Sequence, residues 1–372
     1  MTGDAGTRTG RVGVGIIGAG NISTQYLDNL TTFPDVNVVF IADIDPARAK
    51  EQAEKYGVAG SGSTEELLAH DDIEIVVNLT IPAAHVEVAM LALAAGKHVW
   101  TEKPFALDRQ SGKALLAEAA GRGLRVSTAP DTFLGAGLQA GKRLIESGSI
   151  GAPLTALALF QSPGPESWHP NPDFFYVRGG GPLFDMGPYY LTTLVQNLGP
   201  VKRVAATSSV SKQSRVIGSG GRAGEQIPVE VATHISALIQ FEGGASAQCI
   251  FSFQSSLPRT GLVEFAGADG TLVFPDPNMF EGDLLLWADG ATQAEIIPTT
   301  SAVGRGTGVV ELARAIRAGV PERASGEQGY HVLDVMVSMI EAAESGEFVT
   351  VESTVGAAVS LPEGWDPRTA TL

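Results

Sequence analysis

Three side chains in this sequence have the types and spacing to move a proton. Lys103 closes the string His98-Val99-Trp100-Thr101-Glu102-Lys103-Pro104, in which an apolar run of strand length ends in a charged pair held by a proline. A lysine in a partly dry pocket has its pKa lowered by desolvation and can then give or take a proton. Asp185 and Tyr189 stand four apart in Asp185-Met186-Gly187-Pro188-Tyr189, so on a helix they share one face. The carboxylate can orient a hydroxyl-bearing ligand and bias the charge of a lysine. The phenol can hydrogen-bond a hydroxyl or, beside a cation, serve as acid/base. The plainer alternatives are a surface lysine in a loop, an early-turn carboxylate on the helix dipole, and an aromatic packed beside Tyr190.

A second set of residues could hold a phosphate. Gly18-Ala19-Gly20-Asn21-Ile22-Ser23 lies between an apolar run and a segment of helical spacing. Gly18 permits a tight turn and Gly20 a close backbone approach to a pyrophosphate. The helix start at Asn21 and Ile22 offers free N–H groups to it. Ser23 stands where a third glycine is usual. Asp43, at the end of the next apolar run, would accept hydrogen bonds from a ribose diol and repel a 2′-phosphate. Ile44 follows where an NADP site favours Arg or Ser, so the expected cofactor is NAD rather than NADP. Arg48 is the residue that could reach a 2′-phosphate, and a simple turn before Asp45-Pro46 is the other reading of Asp43.

These residues need elements to place them. Strand-length runs at Arg11–Ile17, Val36–Ala42, Ile75–Leu79, His98–Glu102 and Arg125–Thr128 alternate with helical segments at Ile22–Leu30, Pro46–Tyr56, Ala83–Ala95 and Asp108–Gly121. Strands without polar alternation suit a parallel sheet buried on both faces, and the alternation predicts a doubly wound α/β domain over 11–130. Beyond it, a helix at Gly137–Ser147 and a strand at Pro153–Phe160 precede a Pro-rich loop and a helix over Pro182–Leu198. Strand runs at Val204–Val210, Val231–Phe241, Ala245–Gln254 and Gly261–Ala266, with hairpin signals between some of them, predict an antiparallel sheet in a second domain, 131–372. Helices near Gly308–Ala318 and Glu327–Ser345 follow. The polar, Gly/Ser-rich segment Val210–Pro228 reads as a flexible loop, and residues 1–10 as a loose tail.

Composition narrows the partners. The 372 residues carry 25 Lys and Arg against 41 Asp and Glu, a net charge of −16. That argues against nucleic acid and against an anionic membrane surface, without excluding a small anionic ligand. The single cysteine, Cys249, rules out an internal disulfide framework and a four-thiolate zinc site, and reads as buried and inert. No metal-ligand spacing occurs. With no apolar leader and no run of 18 apolar residues, the expected compartment is the cytoplasm.

The ordered set of the glycine turn, Thr80-Ile81-Pro82-Ala83-Ala84-His85, the Ala95–Pro104 stretch ending in Glu-Lys-Pro, and Gly179-Gly180-Gly181-Pro182-Leu183-Phe184-Asp185 resembles the glucose–fructose oxidoreductase/inositol dehydrogenase/MocA family over nearly the whole chain. The resemblance implies a Rossmann domain and a C-terminal α/β domain with a large open, mostly antiparallel sheet that serves as a homodimer or homotetramer interface. It implies a nicotinamide cofactor, redox chemistry at a sugar, glycoside or cyclitol carbon, and a cis Lys103–Pro104 bond. Tyr189 stands where many members have His, as in the glucose–fructose oxidoreductase and dimeric dihydrodiol dehydrogenase variants. The proton carrier is then Lys103 or Tyr189, with Lys103 preferred as acid/base. Thr80, His85, Glu102 and Lys103 are candidates for the nicotinamide side, and Trp168 and His169 for a sugar. For His85 a helix-start hydrogen bond is the equal alternative; for Trp168 and His169 it is a proline-stiffened loop with surface side chains. Arg178 is left as a surface residue and His331 as structural or near an interface. Two further readings stay open: an enzyme with trapped cofactor that oxidises one sugar and reduces another, and a dinucleotide-binding regulator.

Overall fold

The computed structural model describes residues 9–300 and 303–372, so residues 1–8 of the expected tail lie outside the described residues. β1 (Val12–Ile17) is buried at every position, as a central parallel strand must be. It is followed by α1 (Asn21–Leu30), β2 (Val36–Ala42), α2 (Pro46–Tyr56), β3 (Gly60–Gly62), α3 (Thr64–Leu68), β4 (Ile75–Asn78), α4 (His85–Ala94), β5 (His98–Thr101), α5 (Arg109–Arg122) and β6 (Val126–Thr128). The strands pair in parallel in the order β3-β2-β1-β4-β5-β6. The short β3–α3 unit has no counterpart in the sequence reading, because Gly60-Ser61-Gly62 presents no apolar run. Ser63 and Glu66 close a reciprocal cap on α3.

The second domain opens with α6 (Ala136–Glu146), β7 (Pro153–Gln161), α7 (Gly181–Leu198) and β8 (Val201–Ser209). Then come β9 (Ser214–Val216), β10 (Gln226–Pro228), β11 (His234–Phe241), β12 (Ser246–Ser252), β13 (Arg259–Gly267), β14 (Gly270–Phe274), β15 (Leu284–Ala288) and β16 (Glu295–Ile297). α8 (Thr307–Ala318), α9 (Gly326–Ser345) and β17 (Val349–Thr350) end the element list. Among the described residues, nine strands form one sheet in the order β16-β15-β14-β13-β7-β12-β11-β8-β17. Its ladders are antiparallel except for β7 beside β12. α7 packs on one face of β7, β11 and β12. On the other face Ile250, Leu159 and Leu262 are cross-strand neighbours, each only partly buried.

One expectation is corrected. The segment Val210–Pro228 is not a structureless loop: β9 and β10 pair as a ribbon. Arg215 fixes it, its Nη1 donating to Glu166 Oε1 at 2.8 Å and its Nη2 to the Phe253 carbonyl at 2.9 Å, with the side chain buried. Tyr176 donates to the second Glu166 oxygen. A buried guanidinium with a paired carboxylate ties this polar ribbon to the Pro-rich loop.

The boundary at residue 130 separates the two sheets, but the chain crosses back over it. α8 packs beside α1 and β6. Gly308 lies so close to the indole of Trp100 that a Cβ there would sit 2.1 Å from the ring. Arg317 pairs with Glu74. Arg314 pairs with Asp35, whose carboxylate also accepts the Thr371 and Leu372 amides. α9 bridges both domains through Arg109, whose Nε donates to Asp334 at 2.5 Å.

Candidate active site

The glycine turn leaves β1 with Gly18 at φ +105°, a conformation that L side chains rarely adopt. A Cβ on Gly18 would also meet the Leu79 carbonyl at 2.7 Å. Gly20 differs: a Cβ on it would meet nothing within 4 Å. That open space lies at the start of α1, whose N-terminus has no side-chain cap. The Asn21 and Ile22 end of the helix therefore offers unpaired donors and a partial positive charge. Ser23 fits the third position because its hydroxyl turns back to donate to the Gly20 carbonyl at 2.6 Å. Asp43 ends β2 beside this turn. Its Oδ2 accepts the Ala19 N–H at 2.7 Å and its Oδ1 the Asp45 N–H at 2.8 Å. A carboxylate has further lone pairs for a diol. Ile44 beside it is 99% exposed, and Arg48 Nη1 lies 3.9 Å from Asp43. An open phosphate cradle, an uncapped helix and an acidic strand end fit a dinucleotide.

Beyond the C-terminal ends of β4 and β5, Lys103 and Pro104 are joined by a cis bond. Lys103 Nζ donates to Asp185 Oδ1 at 2.7 Å and to the Asp185 carbonyl at 2.8 Å. Asp185 is the fifth residue of α7, so it is not a cap. One turn later, Tyr189 places its ring centroid 5.3 Å from Nζ. The predicted trio is thus brought together, but the expected charge behaviour of Lys103 is corrected. Burial does act to lower its pKa, yet the Asp185 carboxylate, the neighbouring Tyr189 and Glu102 outweigh it, and the net shift is upward. Lys103 rests as an ammonium.

Three expected ligand contacts turn inward. His85 is 1% exposed, with Nδ1 2.9 Å from the Pro104 carbonyl and Nε2 3.0 Å from the Thr80 carbonyl. It clasps the turn that carries Lys103 and presents no free nitrogen to a cofactor. Thr80 has its N–H and hydroxyl donated to Asn78 Oδ1. Glu102 accepts the Tyr26 hydroxyl at 2.8 Å on one oxygen and the Lys103 N–H at 3.0 Å on the other, which braces the strand end. Trp168 is 66% exposed and free to stack on a ligand. His169 sits edge-on to it, with its pKa lowered by burial against the pull of Asp185. His331 is structural: its Nε2 accepts the Val201 N–H. Cys249 is buried, and burial pushes its thiol up to about 12. Arg178 lies on the surface against Asp108.

Two site residues escaped the sequence reading. Asp131 follows β6, fully buried, with Oδ2 accepting the Gly306 N–H at 2.8 Å and the Gly308 N–H at 3.2 Å. Burial pushes its carboxyl up, against the nearby Arg305. Arg305 precedes α8 and donates to the Tyr189 hydroxyl at 3.2 Å. The only hint in the sequence was a charged residue between two glycines before a helix. A groove of about 970 Å³ lies elsewhere, between α5, the α8–α9 turn and residues 355–359, away from Lys103, Asp185 and Tyr189. No group of three or more His, Cys, Asp or Glu among the described residues could hold a metal ion, and no helix among them is long and apolar enough to cross a membrane.

Residues 12–129 match the family described as an oxidoreductase family with an NAD-binding Rossmann fold, and residues 138–273 match the GFO/IDH/MocA C-terminal domain. The chain is 28% identical to trans-1,2-dihydrobenzene-1,2-diol dehydrogenase from Bos taurus over 71% of this chain and 74% of that one. It is 26% identical to 1,5-anhydro-D-fructose reductase from Ensifer adhaerens over 91% and 98%. A solved structure of levoglucosan dehydrogenase in complex with NADH and L-sorbose superposes with a TM-score of 0.80 at 22% identity, covering 93% of this chain and 100% of that chain.

Proposed function

The chain belongs to the glucose–fructose oxidoreductase/inositol dehydrogenase/MocA oxidoreductase family, and from that premise we propose that it is an NAD-dependent dehydrogenase acting on a secondary hydroxyl, or the corresponding ketone, of a sugar, glycoside or cyclitol. The observation that carries this reading is the Lys103–Asp185 pair, one helical turn from Tyr189. When bound, the dinucleotide takes or supplies the hydride. The chain's residues do the rest. Gly18, Gly20 and the amides at Asn21 and Ile22 hold its pyrophosphate, and Asp43 its adenosine ribose, which supports NAD over NADP. Asp185 holds Lys103 charged, so in ketone reduction the ammonium donates to the forming alkoxide and stabilises it before transfer. In the reverse direction Lys103 must first release a proton, which Asp185 resists. Tyr189 hydrogen-bonds the reacting oxygen from the second side, and Trp168 and His169 form a wall for the ring of the sugar.

The names of the relatives, an anhydro-sugar reductase and a cyclic diol dehydrogenase, support a cyclic polyol or its ketone. A screen tests the reading. Purified protein is mixed with NAD or NADP and a panel of inositols, aldoses, anhydro-sugars and keto-sugars, with Lys103→Met as control. Turnover that vanishes in the variant supports it. Absence of turnover together with stoichiometric bound dinucleotide would favour a trapped-cofactor enzyme or a regulator. We further propose that two copies associate through the open sheet face, which the apolar row Ile250–Leu159–Leu262 supports.

A further inference from the structure

Two cations approach the ring of Tyr189. Lys103 Nζ and the Arg305 guanidinium carbon are each 5.3 Å from its ring centroid. Arg305 is 9% exposed, which is costly for a cation unless its neighbours compensate it. Its Nη2 donates to the Tyr189 hydroxyl at 3.2 Å and to Asn278 Oδ1 at 2.8 Å, and its Nη1 lies 3.6 Å from Asp131 Oδ1. Among the described residues that Nη1 has no acceptor within hydrogen-bond range. A well-satisfied structural anchor would spend both nitrogens on carboxylates. Here one nitrogen faces a carboxylate without bonding it, and the other is shared between an amide oxygen and the Tyr189 phenol.

We propose that Arg305 is the positioning residue of Tyr189, fixing which way its hydroxyl proton points. The inference rests on the redox reading above. A guanidinium has donors and no acceptor, so a phenol oxygen that accepts from it must turn its own hydrogen away. The second cation at the ring is Lys103, which is paired with Asp185. The Tyr189 proton is thereby aimed at a hydroxyl or carbonyl oxygen bound beside Lys103. The guanidinium also stabilises negative charge that develops on the phenol oxygen as the proton leaves. Two donors, Lys103 and Tyr189, then converge on one substrate oxygen, with Arg305 acting through the second.

The test separates this role from a structural one. The six tyrosines are labelled with 13C at Cζ, and Tyr189→Phe assigns the Tyr189 resonance in the full-length protein. Arg305→Gln is expected to move that resonance and Arg305→Lys to return it part of the way. With the best substrate of the panel, Arg305→Gln should lower kcat on the order of 10²-fold, as for loss of one preorganised donor, with KM little changed. In the Tyr189→Phe background the same substitution should have little further effect on kcat. A Tyr189 resonance unmoved by Arg305→Gln, or kcat losses that add in the double variant, overturns the proposal. Should Arg305→Gln not fold, Asn278→Ala, which removes the other acceptor of the same nitrogen, must still move the resonance. Lack of turnover by the wild type overturns the redox reading alone, since the resonance decides Arg305 without substrate.

Discussion

Replacing Asp185 by Asn should convert Lys103 from a resting cation into an ordinary or weakened base. Its Nζ and the carboxylate oxygen are 2.7 Å apart, and a pair at that separation is worth ~6 kcal/mol at an effective dielectric of ~20. Both side chains are about one-fifth exposed, and solvent screening reduces the effect to roughly half, ~3 kcal/mol. At 1.36 kcal/mol per unit, that is an acidward displacement of about two pH units for the lysine. The sign follows from the causes. Burial favours neutral Lys103 and Asp185 favours the charged form, so removing the carboxylate leaves burial opposed only by Tyr189 and Glu102. In ketone reduction the ammonium is the donor. The wild-type kcat/KM should therefore show no loss from Lys103 up to about pH 10, near the ordinary lysine value. Asp185→Asn should instead show an alkaline limb at or below the ordinary lysine value, about two units under that of the wild type, which lies above the range assayed. The assay follows NADH absorbance with a keto-sugar from pH 6 to 10.5. A second measurement needs no turnover: acylation of Lys103 at pH 8, read by mass spectrometry, should accelerate at least tenfold, because only the neutral amine reacts. An alkaline limb and an acylation rate unchanged from wild type would refute the account of Lys103.

Gly20→Val should weaken dinucleotide binding at least 100-fold with no loss of thermal stability, because its φ of −76° suits any residue and its Cβ meets only open space; titration of NADH fluorescence alongside a melting curve checks both halves. Gly308→Ala should leave binding intact but destabilise by about 1–3 kcal/mol, the usual cost of overpacking, since its Cβ would fall 2.1 Å from Trp100; urea unfolding measures it. Leu159→Arg should yield a monomer by light scattering where the wild type is a dimer, and an unchanged mass would exclude this face as the contact.

Much of the first domain was legible because its strands are continuous apolar runs and its turn needs glycine at Gly18. Asp185 and Tyr189 were legible because a helix fixes the relation of residues four apart. What escaped depends on distant parts of the chain. The net charge of Lys103 is not legible in the sequence: burial at a strand end and a carboxylate biasing a lysine can both be read, but which one wins depends on an approach of 2.7 Å across 82 residues. Arg305 reaches Tyr189 across 116 residues and Asp131 meets Gly306 across 175. The ribbon of β9 and β10 carries no apolar alternation, and its order comes from Arg215 meeting Glu166, 49 residues away. β3 is too short and too glycine-rich to signal itself.

The return of α8 onto Trp100 has a consequence for how the protein is made. β6 completes the parallel sheet near residue 128, and α8 begins about 180 residues later. At a ribosomal rate of roughly 5–20 residues per second, the apolar surface around Trp100 waits about ten to forty seconds for its cover. An expression fragment ending near residue 130 would carry the whole nucleotide cradle and still expose that surface, whereas joining residues 303–372 to it would supply the missing cover.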